Sequence, residues 1–286
     1  MRLTLLFILL FVWVSACAPA KKHRKRYAKP YPSESYQKKQ LQPSTQTKKK
    51  QPLWDENSPR VRIDSSLLPT VLNEKDQTLM ILINKGEYLV GMKKIAASGT
   101  LRPDESGPQF VPLAAFYIDR TEVTVENYRK LQPKYNEKPF TDGKACPQCP
   151  AMGINWHQAR KYCNWAGKRL PSEAEWEAAA RGNSTFTWPW GNGFLEKHAN
   201  LFGKEDGQMF AAPVGSFPAG ASPYGVMDMT GNVWEWVESD KAELQIVKGG
   251  GWSSYKEQSK ISFRNSVEAN LNNPTFGFRC AKSPSS

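Results

Sequence analysis

The chain has 286 residues, of which 40% are apolar and ten are Trp, so it is long and apolar enough to form one large domain or two small ones. Its formal net charge of +12 comes almost entirely from residues 18–52, which contain eleven Lys or Arg side chains and one acid. The rest of the chain is close to neutral, so the basic character belongs to this segment, which by itself would suggest nucleic-acid binding.

The N-terminus has the pattern of an export signal. Arg2 is followed by a mainly apolar run of twelve residues, whereas a bilayer span needs about 20. The sequence Val-Ser-Ala before Cys17 resembles the bacterial lipobox, which implies cleavage after residue 16 and lipidation of Cys17. We therefore expect an exported cell-envelope lipoprotein held in the membrane by its lipid anchor, and Ala18 favours the outer membrane. The alternative is an ordinary signal peptide with a chance cysteine.

Residues 17–52 are predicted to be the lipidated cysteine followed by a basic, disordered tether. This segment is rich in Lys, Gln, Ser and Pro and contains few aliphatic residues, so it cannot bury enough apolar surface to fold. Its charge would attract anionic lipids or wall polymers. A purely solvated spacer is the alternative. With export predicted, we expect no nucleic-acid partner.

Four further cysteines indicate disulfides, because an even number in an exported protein is usually paired. Cys146 and Cys149 lie in the sequence Cys-Pro-Gln-Cys and can pair locally, which would leave Cys163 for Cys280. Three pairings are possible in principle. A Cys-x-x-Cys pair can also be redox-active or form half of a zinc site, although no second pair that would complete a zinc site is evident.

The folded domain is predicted at residues 79–286, preceded by a lead-in segment at residues 53–78. Residues 79–90 predict a strand, a glycine turn and a second strand, and residues 116–119 predict another strand. A helix is then expected to begin at Thr124, because apolar residues follow at helical spacing.

Two more helices are expected in the middle of the chain. One runs over about residues 156–166 and is stopped by Gly167. The other begins with a capping box formed by Ser172 and Glu175. After Arg181 the sequence is dominated by Gly, Pro, Asn and aromatic residues, so few regular elements are expected there.

Six distinctive blocks follow one another along the chain. They lie at residues 116–124, 156–177, 213–218, 231–236, 248–252 and 277–280. Their content and order resemble the formylglycine-generating enzyme family, also called the sulfatase-modifying factor family, over roughly residues 80–282. The resemblance implies a single loop-rich α/β (α+β) domain related to the C-type lectin-like fold. It also implies a bridge between Cys163 and Cys280.

The resemblance fails at the residues that perform the family's chemistry. Active members bind Cu(I) through two cysteines that follow the Gly-Gly-x-Trp block, and the matching positions here are about Ser254 and Ser259. A serine hydroxyl is a poor ligand for a soft metal. We therefore expect no copper, no catalytic residue of this type and a pseudoenzyme.

Two oxygen-rich clusters resemble the structural calcium sites of the family. The first consists of Asp228, Gly231, Val233 and Glu235. The second consists of Asn200, Leu201, Asp206 and Gln208. Carboxylate, amide and backbone carbonyl oxygens are the ligands that Ca²⁺ prefers. The second loop is shorter than in the enzymes, and its last position differs in type. The alternative is that Asp228 and Glu235 only accept hydrogen bonds from loop amides.

The resemblance also suggests where a ligand would bind. The groove in which the enzymes hold their peptide matches Trp252, Ser254, Tyr255 and Arg264. Of these residues, Ser254 and Arg264 are expected on the surface, and Trp252 is expected in the core.

Three functions fit these observations. The leading hypothesis is a non-catalytic binding or assembly module in a secretion, motility or surface complex, with an envelope protein or glycan as its partner. One alternative is an enzyme of unassigned chemistry on the same fold. The other is electrostatic attachment to the envelope or wall through the basic tether.

Overall fold

A computed structural model describes residues 69–91, 108–203, 205–239 and 244–284, all within the compact unit Pro52–Ser286. The predicted signal peptide, Cys17 and the tether lie outside the described residues. None of the helices in the described ranges is both long and apolar enough to cross a membrane.

The first sheet is antiparallel and contains strands from both ends of the domain. In spatial order it consists of β1 (Thr70–Leu72), β2 (Leu79–Ile83), β5 (Phe116–Asp119) and β10 (Ala281–Lys282). A separate two-stranded sheet is formed by β3 (Gly86–Val90) and β4 (Gln109–Leu113). The strands predicted at residues 79–90 are confirmed, but β2 pairs with β5 and β3 pairs with β4.

The folded domain begins earlier than predicted. Residues 70–72 form β1 on the edge of the first sheet, so the assignment of residues 53–78 to a lead-in segment is wrong for its last part. The polar turn after β1 is also part of the core, because Asp76 is buried against Lys168 with an N–O distance of 2.7 Å. In the sequence, the charged residues of this turn resemble a linker. The ion pair that accompanies the burial of Asp76 is formed with a residue that is distant in the sequence.

The three helices begin where their capping residues lie. They are α1 (Val125–Leu131), α2 (Trp156–Trp165) and α3 (Glu173–Arg181). Thr124 Oγ1 accepts a hydrogen bond from the Asn127 amide, and Ser172 forms the predicted capping box with Glu175. All three helix predictions are confirmed to within a residue or two.

A second four-stranded sheet lies in the C-terminal part of the chain. Its spatial order is β8 (Arg264–Glu268), β7 (Leu244–Lys248), β6 (Trp234–Val237) and β9 (Phe276–Gly277). The pair β6–β9 is parallel and the other two pairs are antiparallel. The expectation of few regular elements after Arg181 is therefore wrong for this region. The strands are short, and the loops between them carry the Gly and Asn residues that dominate the composition.

The two four-stranded sheets and the helices enclose two large apolar clusters. One includes Trp156, Tyr162, Trp236 and Phe278, and the other includes Trp176 and residues of the first sheet. The fully buried disulfide between Cys163 and Cys280 joins α2 to the C-terminus. The fold class, a mixed α/β loop-rich single domain, is confirmed.

Candidate functional site

Ser254 and Ser259, which the family resemblance predicts at the positions of the copper-binding cysteines, are both buried. Ser254 is 3% exposed, and its Oγ accepts a hydrogen bond from the Gly251 amide at 3.0 Å. Ser259 is 0% exposed, and its Oγ donates to the Lys256 carbonyl at 2.9 Å. The four cysteines of the described residues are all in disulfides. No thiolate in this part of the chain is therefore free to bind a soft metal.

Two residues of the predicted ligand groove are not surface residues. Ser254 is buried, and its hydroxyl is bonded to the Gly251 amide as described above. Arg264 is mostly buried, and its Nη1 lies 3.1 Å from the Glu173 carboxylate on α3. The expectation that these two residues form a free polar surface is wrong, because β8 lies beside β7 and this pairing brings Arg264 to the acidic start of α3.

The other two groove residues belong to an exposed aromatic surface, which we call the aromatic face. It consists of Phe202, Met209, Phe210, Trp252 and Tyr255. The rings of Phe202 and Tyr255 lie 5.1 Å apart between centroids, and those of Phe210 and Trp252 lie 5.4 Å apart. Met209 is 65% exposed. Trp252 is only half-buried, packed against a small apolar cluster, so its expected place in the core is correct in part.

At the first predicted calcium site, the Glu235 carboxylate is already neutralised. Both of its oxygens accept hydrogen bonds from Arg279, each at 2.7 Å, and Oε2 also accepts one from the Trp176 indole. Asp228 is buried nearby in a left-handed backbone conformation and accepts a hydrogen bond from the Gly215 amide at 2.6 Å. Gly231 and Val233 are buried on the same turn. The predicted residues are thus brought together, but Glu235 has a protein partner.

Glu122 is a member of this cluster that the sequence did not identify. Its carboxyl group lies within hydrogen-bonding reach of Asp228. Oε1 accepts a hydrogen bond from Asn232 at 2.9 Å, whereas Oε2 is buried with no donor. Burial raises the pKa of Glu122 well above its usual range, and the neighbouring Asp228 raises this pKa further. Two such carboxylates repel each other unless they share a proton or a cation. In the sequence, the only indication of this role is that Glu122 lies in the first family block, residues 116–124.

The second predicted calcium site also has an oxygen without a donor. Asn200 is buried and donates through Nδ2 to the Phe210 carbonyl and to Asn232 Oδ1, while its own Oδ1 has no partner. Asp206 accepts hydrogen bonds from the amides of Leu201 and Gln208 at 2.9 and 2.8 Å. The Asp206 carboxylate and the Asn200 amide oxygen thus belong to residues only six positions apart.

The available oxygens fit a hard cation better than a transition metal. Buried oxygens without donors, such as those of Glu122 and Asn200, are costly unless a proton, water or cation satisfies them. Within the described ranges, no group of three or more His, Cys, Asp or Glu side chains is arranged to hold a metal. Any cation here would therefore depend on amide and backbone oxygens, which is a ligand set that suits Ca²⁺.

Asn232 joins the two candidate cation sites. Its backbone is left-handed, and its side chain donates to Glu122 and accepts from Asn200 and from the Ala212 amide. A single buried amide thus fixes three loops, which lack a continuous ladder of backbone hydrogen bonds.

Comparison with known proteins identifies the family. The Sulfatase-modifying factor enzyme 1-like domain matches residues 67–284. The Inactive C-alpha-formylglycine-generating enzyme 2 of Bos taurus is 37% identical over 150 residues, which are 46% of this chain and 50% of that protein. The Serine/threonine-protein kinase pkn1 of Chlamydia caviae is 36% identical over 247 residues, which are 72% of this chain and 38% of that protein.

Solved structures support the same fold. PvdO from Pseudomonas aeruginosa superimposes with a TM-score of 0.64 and 27% sequence identity, covering 76% of this chain and 98% of PvdO. The chain spans half or less of the two curated relatives named above, 50% of one and 38% of the other. The activities in their names therefore describe those proteins.

Proposed function

The chain belongs to the Sulfatase-modifying factor enzyme 1-like family, and on that basis we propose that it is a non-catalytic member that acts as a binding or assembly module of the bacterial cell envelope. The observation that supports this proposal is the state of the two positions matching the catalytic cysteines. Ser254 and Ser259 are buried, and their hydroxyls are used within local turns. Neither is available as a soft-metal ligand or as an exposed nucleophile.

We place the binding surface at the aromatic face. Aromatic and Met side chains are enriched at protein interfaces, where they supply a large contact area with few rotatable bonds. Phe202, Met209 and Phe210 are exposed on one loop. The proposed partner is an envelope protein, and a glycan is the second class to be tested.

The cellular location of the protein is a separate part of the proposal. The apolar run and the lipobox-like sequence before Cys17 support lipidation, and the basic segment 18–52 supports a tether between the membrane and the domain. Such an anchor would confine the aromatic face to the vicinity of the envelope, which raises the effective concentration of a partner in the same membrane.

The binding proposal is tested by photo-crosslinking of the full-length protein in the envelope of cells that produce it. The matched variants are Met209→Ser/Phe210→Ser and, as a control, Phe110→Ser, which changes an aromatic residue that is 70% exposed on β4. Interface hot spots contribute about 2 kcal/mol or more. We therefore expect one recurrent partner to be retained by the control and lost by the double variant. A partner that both variants retain would rule out the aromatic face.

We also propose that Ca²⁺ binds at the two oxygen-rich clusters. Adding Ca²⁺ to chelator-treated protein should raise its melting temperature, with a stabilisation of about 2.7 kcal/mol when Ca²⁺ is in 100-fold excess over its Kd. Calorimetric titration should show weaker binding in Asn200→Ala and Glu122→Gln. Asn136→Ala, which changes an exposed asparagine, is the matched control. Identical melting curves with and without Ca²⁺ would contradict the proposal, and a proton shared by Glu122 and Asp228 would then explain their contact.

A further inference from the structure

The disulfide between Cys146 and Cys149 is part of a short loop that covers the start of α1. The carbonyl oxygens of Pro147 and Cys149 accept hydrogen bonds from the amides of Glu126 and Val125, each at 2.9 Å. These amides belong to the first turn of α1 and have no partner within the helix. The backbone of the loop therefore has a structural role that does not itself require the sulfur–sulfur bond.

The two disulfides of the domain differ in accessibility. Cys163 and Cys280 are fully buried in the main apolar cluster. In contrast, Cys146 is only half-buried and is followed by the exposed residues Pro147 and Gln148. An external thiolate must approach a sulfur atom to begin exchange, so access favours attack at Cys146.

The surroundings of Cys149 accommodate the reduced form. Its sulfur lies 3.6 Å from the Ala211 carbonyl oxygen. A disulfide sulfur carries no hydrogen and cannot donate to this oxygen, whereas a thiol can. Reduction would therefore create a weak hydrogen bond in the buried half of the pair, and stabilisation of the reduced form makes a disulfide easier to reduce.

The loop is connected to the aromatic face. The Gln148 carbonyl accepts a hydrogen bond from the Val214 amide at 2.9 Å, and Cys149 contacts Ala211. Residues 211–214 directly follow Met209 and Phe210, which are exposed members of the aromatic face. The disulfide loop thus contacts the chain segment that carries these two side chains.

We propose that Cys146–Cys149 is a thiol–disulfide exchange site that accepts electrons from a dithiol protein of the oxidoreductase class. A thiolate of that partner attacks Cys146 Sγ, the Cys146–Cys149 bond breaks, and Cys149 leaves as a thiolate that takes up a proton. The partner's second thiol, as its thiolate, then attacks the partner's first sulfur in the mixed disulfide. Cys146 is released as a thiolate and also takes up a proton. Two electrons and two protons are transferred, and the partner is left as a disulfide. The exchange does not depend on the proposed binding function.

The test uses the folded full-length protein in a series of reduced and oxidised dithiothreitol ratios, followed by alkylation and peptide mass spectrometry. We expect alkylation at Cys146 and Cys149 under conditions in which Cys163–Cys280 remains closed and far-ultraviolet circular dichroism is unchanged. Cys163–Cys280 is thus an internal control. Opening of both disulfides together, or of neither without denaturant, would overturn the proposal.

Two further measurements examine the site of attack and its consequence. With oxidised glutathione and the partly reduced protein, we expect the mixed disulfide to form on Cys146, and formation on Cys149 alone would contradict the proposed order of steps. Hydrogen exchange at residues 209–214 should be faster in the reduced protein and in Cys146→Ser/Cys149→Ser than in the oxidised protein. Unchanged exchange in both would remove the proposed connection to the aromatic face.

Discussion

Replacing Arg279 with Met should lower the free energy of unfolding by about 3–5 kcal/mol, because it leaves buried carboxylates without their cation. The Arg279 side chain is fully buried and donates two hydrogen bonds to Glu235 at 2.7 Å. It also donates to the carbonyl oxygens of Asp119, Arg120 and Met227. The single substitution thus breaks contacts between the first sheet, the second sheet and the loop that precedes it.

The measurement is urea unfolding of matched variants in the presence of a chelator. Arg279→Lys should recover only part of the loss, because an ammonium group lacks the planar fork that contacts both oxygens of Glu235. Arg160→Met is the control, since Arg160 is half exposed and lies 4.0 Å from Glu238. We expect its effect to be about 1 kcal/mol or less. Equal losses for Arg279→Met and Arg160→Met would contradict the assigned role.

Lys168→Met is expected to have an effect of similar size, about 3–5 kcal/mol. Lys168 is fully buried, and its Nζ lies 2.7 Å from both Asp76 and Asp119. Burial alone would raise the pKa of Asp76, but the charge and hydrogen bond of Lys168 outweigh this effect and hold the pKa below its usual value. The stability that Asp76 contributes is therefore present at neutral pH and lost as the pH falls towards its folded pKa.

A compensating variant separates charge from packing in this cluster. Asp76→Asn/Lys168→Met/Asp119→Asn removes all three charges and should recover a substantial part of the stability lost in Lys168→Met. Lys144→Met is the surface control, because Lys144 and its partner Asp142 are both largely exposed. Urea unfolding and the pH dependence of the midpoint are the two readouts. A triple variant no more stable than Lys168→Met would show that packing, and not unpaired charge, causes the loss.

Local hydrogen bonds made the helices predictable. Thr124 caps α1 through an amide three residues away, and Ser172 and Glu175 cap α3 across the same separation. Such contacts depend on neighbours within one turn, so the sequence contains all the information they require. The strand at Phe116–Asp119 was equally clear from its apolar residues.

The candidate site was predictable only in part. The prediction that serines stand at the positions of the catalytic cysteines rests on residue identity at Ser254 and Ser259 and needs no tertiary structure. The sequence indicates only Trp252 and Tyr255 of the aromatic face, because its other members lie 42–50 residues before Trp252 in a loop without a regular pattern. Arg264 was misplaced for a related reason: its partner, Glu173, lies on a helix some 90 residues away.

The sequence by itself determined the family blocks, the starts of the helices and the serines at positions 254 and 259, since each of these rests on residue type or on contacts within one turn. The tertiary structure decided which charges are buried and which oxygens lack donors. Asp76 reads as part of a polar linker until Lys168 is placed against it. Glu122 reads as a surface acid until Asp228 is brought beside it. A charged side chain is costly to bury without a partner, and the partner of Asp76 is distant in the sequence.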